Sequence, residues 1–265
     1  MKIGIIGCGN MGQALLKGII DQGYLARRNI LCCEKDRQRL SSLRSSFKVP
    51  CTRSISTVAQ QAEVIILAVK PQDAHTVLAD LKTSLKGKLL ISICAGLSTG
   101  KLEQYLGRVA VVRVMPNMPG LINQAISAIC LGKYAKQRHQ RLTRSIFSCI
   151  GDVLIVKEQK MDAVTAISGS GPAYFFYLTE KLIAAAQKLG LPLADARQLV
   201  IKTCLGSALL LNQSKQSPRA LRNKVASKGG TTQAAFSVFR KKGWDKILFS
   251  AVQAAAKRSR QLRPN

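Results

Sequence analysis

Gly7-Cys8-Gly9-Asn10-Met11-Gly12 follows directly on the apolar run Lys2-Ile3-Gly4-Ile5-Ile6 and leads into a segment with apolar residues every three to four positions. In that setting each glycine serves a purpose. Gly7 makes a tight turn, Gly9 lets backbone approach a pyrophosphate, and Gly12 lets a helix pack closely on a strand. Met11, Ala14, Leu15, Gly18 and Ile19 form one buried face, and the free amides at the start of such a helix hold phosphate oxygens. Glu34 stands 22 residues beyond Gly12, at the end of the second apolar run Asn29-Ile30-Leu31-Cys32-Cys33. An acidic side chain there accepts hydrogen bonds from an adenosine ribose. The chemistry implied is dinucleotide binding.

Three further segments carry groups suited to chemistry. Ala68-Val69-Lys70-Pro71-Gln72 ends a strand-like run, the edge where open α/β sheets place their ligands. Two readings of Lys70 stand side by side: it faces a cofactor or substrate, or it is a solvated lysine at a strand end. Met115-Pro116-Asn117-Met118-Pro119 is a strand exit stiffened by two prolines, and Asn117 brings both a donor and an acceptor. It too has a plain reading as a structural turn. Ser168-Gly169-Ser170-Gly171-Pro172-Ala173-Tyr174 and Ser227-Lys228-Gly229-Gly230-Thr231-Thr232 both lead into helices. Free backbone amides and hydroxyls converge at such starts and make anion sites, whereas ordinary capping needs a single hydroxyl.

The elements that must position these groups form two sets. From residue 1 to about 158, apolar runs alternate with helical patterns: Val64–Val69, Leu89–Ile93, Val109–Arg113, Ala125–Cys130 and Val153–Val156 join the two named above. Near-continuous apolar character marks strands buried on both faces, and the expected architecture is an N-terminal Rossmann-type parallel sheet. Residues 159–265 read as an all-α C-terminal domain, with helices over Ala173–Leu189, Ala194–Leu211, Thr231–Lys241 and Asp245–Leu262. Pro172 suits a first turn, Gly190 a helix end and Pro192 the next start. The helices over 173–211 are apolar around much of their circumference, which calls for burial against another subunit.

Composition narrows the function classes. Of the 265 residues 47% are hydrophobic, and no apolar run approaches the length of a membrane span. The glycine loop lies too close to Met1 for a secretion signal, so a cytoplasmic protein without a membrane partner is expected. The eight cysteines are scattered and form no CxxC pair, which suits reduced, buried thiols; with only two histidines, His75 and His139, no metal site is expected. The net charge of +28 is spread along the chain without interleaved aromatics. It reads as a general basic surface that attracts anionic cofactors and metabolites, not as a nucleic-acid site.

Together these segments resemble the pyrroline-5-carboxylate reductases. The resemblance rests on GxGxMG, AVKPQ at 68–72, MPNMP at 115–119, DAVTAISGSGPAYFF at 162–176, LRNKVASKGGTTQAA at 221–235 and AVQAAAKRSRQL at 251–262, in family order over the whole length. It implies hydride transfer from NADPH or NADH to the C=N bond of 1-pyrroline-5-carboxylate, giving L-proline, in the last step of proline biosynthesis. It also implies a homodimer whose copies assemble further, commonly into decamers. Carried over by position, Ile6, Gly7, Cys8, Gly9, Asn10, Met11, Ala68, Val69, Lys70 and Pro71 are expected cofactor contacts beside Glu34, with Asn117 near the nicotinamide. Ser227, Gly229, Gly230, Thr231 and Thr232 form the expected substrate loop. Its amides grip the carboxylate, and Thr232 hydrogen-bonds the ring nitrogen as the catalytic group together with Lys70. Three positions depart from the family pattern: Lys228 replaces a proline, Met118 a threonine and Asn223 an acid.

Two rival readings have different signatures. A 3-hydroxyacid dehydrogenase of similar layout needs a lysine general acid and an asparagine, and neither stands beside SGSGPAY. A non-catalytic NAD(P)-binding regulator would bind nucleotide but leave the cyclic imine untouched. On cofactor choice, Glu34 favours a free ribose 2′-hydroxyl, while Lys35 and Arg37 favour a 2′-phosphate, so both cofactors are expected to work.

Overall fold

The computed structural model describes residues 1–262. β1 (Ile3–Ile6) leads into α1 (Asn10–Asp21), β2 (Ile30–Cys33), α2 (Arg37–Phe47), β3 (Cys51–Thr52), α3 (Ile55–Gln61), β4 (Val64–Leu67) and α4 (Pro71–Leu81). Then come β5 (Leu89–Ser92), α5 (Thr99–Leu106), β6 (Ala110–Met115), β7 (Ala125–Leu131), α6 (Gln137–Ser148) and β8 (Gly151–Ile155). The eight strands form one sheet in the order β3-β2-β1-β4-β5-β6-β7-β8.

Both faces of the sheet are covered, which explains the unbroken apolar runs. Along β4, Val64 and Ile66 face one core with Leu15, Leu16 and Ile19 of α1 and Phe147 of α6. Ile65 and Leu67 face the other, with Val58 of α3 and Leu78 and Leu81 of α4. Alternation therefore separates two apolar layers instead of core from solvent. Burying each such side chain stabilises the unit by about 1.5–3 kcal/mol.

The sheet is not wholly parallel. Every neighbouring pair is parallel except β6 and β7, which run antiparallel with Met115 opposite Ala128. The cause is the connection. Residues 116–124 hold one short 3-10 turn, Met118–Ile122, and no crossover helix, so the chain must reverse. The expected Rossmann-type parallel sheet thus carries one antiparallel join.

α7 (Met161–Val164) continues into a wide π-type turn over Thr165–Gly169, followed by α8 (Gly171–Lys188), α9 (Leu193–Gln213), α10 (Pro218–Val225), α11 (Thr231–Lys241) and α12 (Trp244–Gln261). The chain divides into two compact units, Met1–Pro172 with the residues from Ala254 onward, and Ala173–Gln253. The change from strand to helix patterning near residue 158 is thus a different boundary from that between units. Residues 159–172 pack with the sheet: Met161 is fully buried beside Met115 and Cys130. The end of α12 belongs there as well. Ser259 donates to Asp162 at 2.8 Å, and Gly96, at φ +79°, lies so near the Leu262 carbonyl that a Cβ would come within 2.4 Å of it.

The second unit buries little of itself. Among its described residues Phe175, Phe176, Leu182, Leu199, Leu205, Leu210 and Phe249 are all exposed apolar side chains. Cys204 shares this uncovered state, so the expectation that it is buried fails at that position. No helix among the described residues is long and apolar enough to cross a membrane.

Candidate active site

In the first unit the ends of β1 and β4 lie side by side, because the Ala68 amide donates to the Ile6 carbonyl at 2.8 Å. Gly7 turns the chain at φ +88°, and a Cβ there would meet Val69 and Ala68 at 2.7–2.8 Å. Gly12 is equally confined, since a Cβ would fall 2.3 Å from the Gly7 carbonyl oxygen. Gly9 is the opposite case: nothing lies within 4 Å of where its Cβ would be. Gly9 is also the N-cap of α1, and no side chain caps the helix. The first amides of α1 are left unpaired over open space, a cradle that suits a pyrophosphate. Gln13 fixes the loop by donating to the Cys8 carbonyl at 2.8 Å.

Glu34 faces this loop and is almost fully buried. One carboxylate oxygen accepts from the Cys8 amide at 3.0 Å and from Arg39 at 3.3 Å, the other from the Asp36 amide at 3.0 Å. Burial alone would raise this carboxyl; the Asp36 and Cys8 amides and Arg39 outweigh it and hold it below the usual carboxylate range. So Glu34 props the glycine loop whether or not a ribose is present. Sequence spacing locates the carboxylate but not its partners. Arg39 gives no sequence signal because it pairs from within α2, whose start is capped by Asp36 accepting from the Arg39 amide at 2.7 Å. Lys35, which the sequence offers to a ribose 2′-phosphate, pairs with Asp73 of α4 at 2.9 Å.

Lys70 is exposed and serves as the N-cap of α4, with Pro71 in the first turn. Asn117 accepts from the Ile126 amide at 3.0 Å and donates to the Ser168 hydroxyl at 3.3 Å. It therefore links the β6 exit, β7 and the glycine- and serine-rich turn, three segments distant in sequence. Met11 reaches the β6–β7 connection, its methyl 3.5 Å from where a Gly120 Cβ would lie. The cradle residues Ile6–Met11, the strand end Ala68–Pro71, Glu34 and Asn117 thus all follow the carboxyl ends of the mutually parallel strands β1, β4, β2 and β6.

The second unit holds the other group. Gly229 takes φ +73°, its amide donates to the Gln233 side chain at 2.6 Å, and the Gly230 amide donates to the Ser227 carbonyl at 3.1 Å. Gly230 caps α11 without a side chain, so the first amides of that helix are free beside the half-buried Thr232. Gln233, missed at the sequence level, acts as the loop's internal brace. A second missed element is α10, which Ser217 caps by accepting from the Ala220 amide at 3.2 Å.

Two family models match the chain: the pyrroline-5-carboxylate reductase dimerisation region over residues 158–262, and the coenzyme F420-dependent NADP oxidoreductase domain over residues 2–96. A pyrroline-5-carboxylate reductase of Synechocystis sp. is 36% identical over 262 residues, covering 99% of this chain and 98% of the relative. The chain belongs to the pyrroline-5-carboxylate reductase family. Two solved structures of family members, from Coxiella burnetii and, with NADP bound, from Plasmodium falciparum, superpose with TM-scores of 0.92 and 0.91 at 32% identity. They cover 100% of this chain, and 99% and 98% of theirs.

Against the family pattern, the three departures leave the loop's own hydrogen bonds in place. Lys228 is exposed and lies outside both bonds that shape the loop, Met118 is exposed at the 3-10 turn, and Asn223 accepts from its neighbour Arg222 at 3.2 Å.

Proposed function

We propose that this chain reduces 1-pyrroline-5-carboxylate to L-proline with NADPH or NADH. The observation that carries the reading is the end-to-end match to reductases of this name, in a chain whose glycine cradle leaves helix amides open above Gly9. The dinucleotide, when bound, supplies the hydride accepted by the C=N carbon.

The chain's own residues do the rest. Ile6–Met11 and Ala68–Pro71 bind the cofactor through backbone, with Glu34 toward the ribose and Asn117 toward the nicotinamide; Lys70 adds a positive charge at the same strand end. Ser227, Gly229, Gly230 and Thr231 form the loop that holds the substrate carboxylate at the start of α11, whose first helical amides have no side-chain cap. Thr232 hydrogen-bonds the ring nitrogen. That bond makes the carbon more electrophilic as hydride arrives, and strengthening it in the transition state accelerates the step. No histidine is assigned a role, so proton exchange falls to water and the Thr232 hydroxyl. Orientation of the imine supplies much of the remaining acceleration.

The exposed apolar helices of the second unit support a homodimer as the minimal active form, with decamers as the further assembly. Eight cysteines without a disulfide suit the reducing cytoplasm, where we place the reaction. The test is nicotinamide oxidation with the cyclic imine, run with NADPH and NADH in parallel. Turnover that yields proline supports the reading. Nucleotide binding without imine-dependent oxidation would return the chain to the class of non-catalytic binders.

A further inference from the structure

The edge of the sheet carries a group of thiols that this chemistry does not use. Cys32 of β2 and Cys51 of β3 are register partners on adjacent parallel strands. Neighbouring strands lie about 4.8 Å apart, inside the Cα separation of about 4.4–6.8 Å that disulfides span. Cys8 and Cys32 lie in the same buried apolar cluster, and Cys51 packs against it. Cys8 and Cys32 are fully buried, while Cys51 is half-exposed. Arg44 of α2 reaches the same spot and donates to the Cys51 carbonyl at 3.0 Å, and the Cys51 thiol donates to the Val49 carbonyl at 3.4 Å. β3 is only two residues long and has no strand on its outer side, so it is free to adjust.

The two thiols are polarised in opposite directions. Cys51 is held below the ordinary thiol range by the neighbouring Cys32 thiol and by Arg44, against the effect of burial. Cys32 is pushed up by the Cys51 and Cys8 thiols beside it and by burial. The other cysteines lack this arrangement. Cys33, Cys94 and Cys130 are buried with their thiols raised, and Cys204 is exposed with no neighbouring cysteine described.

We propose that Cys51 and Cys32 form an oxidant-reactive pair, in which hydrogen peroxide oxidises Cys51 and Cys32 then closes a disulfide between β3 and β2. The Cys51 thiolate attacks one peroxide oxygen, the O–O bond breaks, and the released hydroxide takes the proton that Cys51 gave up, leaving Cys51 as a sulfenic acid and one water. Cys32 sulfur attacks the Cys51 sulfur, the S–O bond breaks, and the departing oxygen leaves with the Cys32 proton as a second water. Two thiols supply two electrons, and one peroxide becomes two waters.

The bond is wired to the glycine loop. Closing it withdraws the Cys32 thiol from Cys8, whose amide is held by Glu34 two residues beyond Cys32, and the Gly7 amide donates to the Cys33 carbonyl at 2.9 Å. Oxidation is therefore expected to weaken NADPH binding, an effect that rests on the proposed function, whereas the disulfide itself does not.

The experiment uses the full chain with Cys204→Ser, which removes the exposed thiol, treated with a small excess of hydrogen peroxide, alkylated, and mapped without reduction. A linked Cys32–Cys51 peptide is expected, reversed by dithiothreitol, with NADPH affinity lower in the oxidised form by fluorescence titration. Cys32→Ala should leave a dimedone-trappable sulfenic acid on Cys51. Cys51→Ser, at a half-exposed edge position that tolerates the change, should slow thiol loss at least about tenfold. An unmodified Cys51, or a linkage to any other cysteine, overturns the pair. A Cys32–Cys51 bond with unchanged NADPH affinity overturns its coupling to the loop. If the reduced protein itself fails to bind NADPH, the functional reading falls while the thiol chemistry stands.

Discussion

Glu34→Ser separates two duties of one carboxylate. The substitution removes the acceptor of the Cys8 and Asp36 amides, each at 3.0 Å, and of Arg39 at 3.3 Å. Each hydrogen bond to a charged group contributes about 1.5–3 kcal/mol; with water replacing part of the loss, stability should fall by about 2–4 kcal/mol. Denaturant midpoints at constant m measure that. The second duty is electrostatic. At roughly 5 Å from a ribose 2′-phosphate, one unit charge repels another by about 0.8 kcal/mol in water-like surroundings and about 3 kcal/mol at an effective dielectric near 20. Removing the charge should therefore raise the NADPH/NADH ratio of kcat/KM by about 4- to 200-fold. Parallel steady-state kinetics with both cofactors decide it. A ratio within about twofold of wild type, alongside the expected loss of stability, refutes the ribose assignment and leaves Glu34 as a loop prop alone. A pH arm follows from linkage. Because the folded carboxyl lies below its unfolded value, its stabilisation is present above the ordinary carboxylate range and is lost as the pH falls through that range toward the lower folded value. Glu34→Gln has no proton to take up and should lack this acid-dependent component, so the stability gap between it and wild type should narrow as the medium is acidified.

Three further outcomes are expected. Thr232→Ala should lower kcat by about 30- to 1000-fold, equivalent to about 2–4 kcal/mol, with NADPH affinity unchanged; Thr231→Ala, at an exposed first helical position that does not cap α11, should change stability by less than about 0.5 kcal/mol, and a Thr232→Ala enzyme with wild-type kcat would show the hydroxyl to be a bystander. Leu205→Glu places a charge on an exposed apolar face of α9 and should give monomer or aggregate with reduced activity; a fully active monomer in light scattering defeats the assigned interface. Gly12→Ala puts a Cβ 2.3 Å from the Gly7 carbonyl, so the loop must shift; NADPH affinity should drop more than about tenfold, and unchanged titration isotherms would show that the cradle is not the nucleotide site.

The parts of the fold legible in the sequence are those with long-range consequences for composition. β4 reads as a strand because both its faces are buried, and α1 reads as a helix because only one stripe is. β3 is invisible because two residues, Cys51 and Thr52, cannot display a period. α10 is hidden because it is short and polar on average, although Ser217 followed by Pro218 is a helix-start signal that could have marked it. The reversal at β7 is written in the connection and not in the strand, since the brevity of 116–124 dictates direction while Ala125–Leu131 looks like any other buried strand. The site divides the same way. Glycine spacing reveals the turn and the close approach at Gly7 and Gly12, because each demands a missing side chain. The inward aim of Glu34, the ion pair of Lys35 with Asp73 and the brace by Gln233 depend on rotamers chosen by neighbours in space, which no spacing rule encodes.

The contribution of α12 to the first unit has a consequence for biosynthesis. Residues 1–172 emerge as one stretch, but Ser259, which bonds Asp162, and Leu262, which lies against Gly96, follow the 81 residues of the second unit. At about 5–20 residues per second those take roughly 4–16 s to synthesise. During that interval the nascent unit holds Asp162 without Ser259 and Gly96 without its cover. The nucleotide domain is thus finished by the last helix of the chain, and a fragment ending at residue 172 is missing part of its own surface.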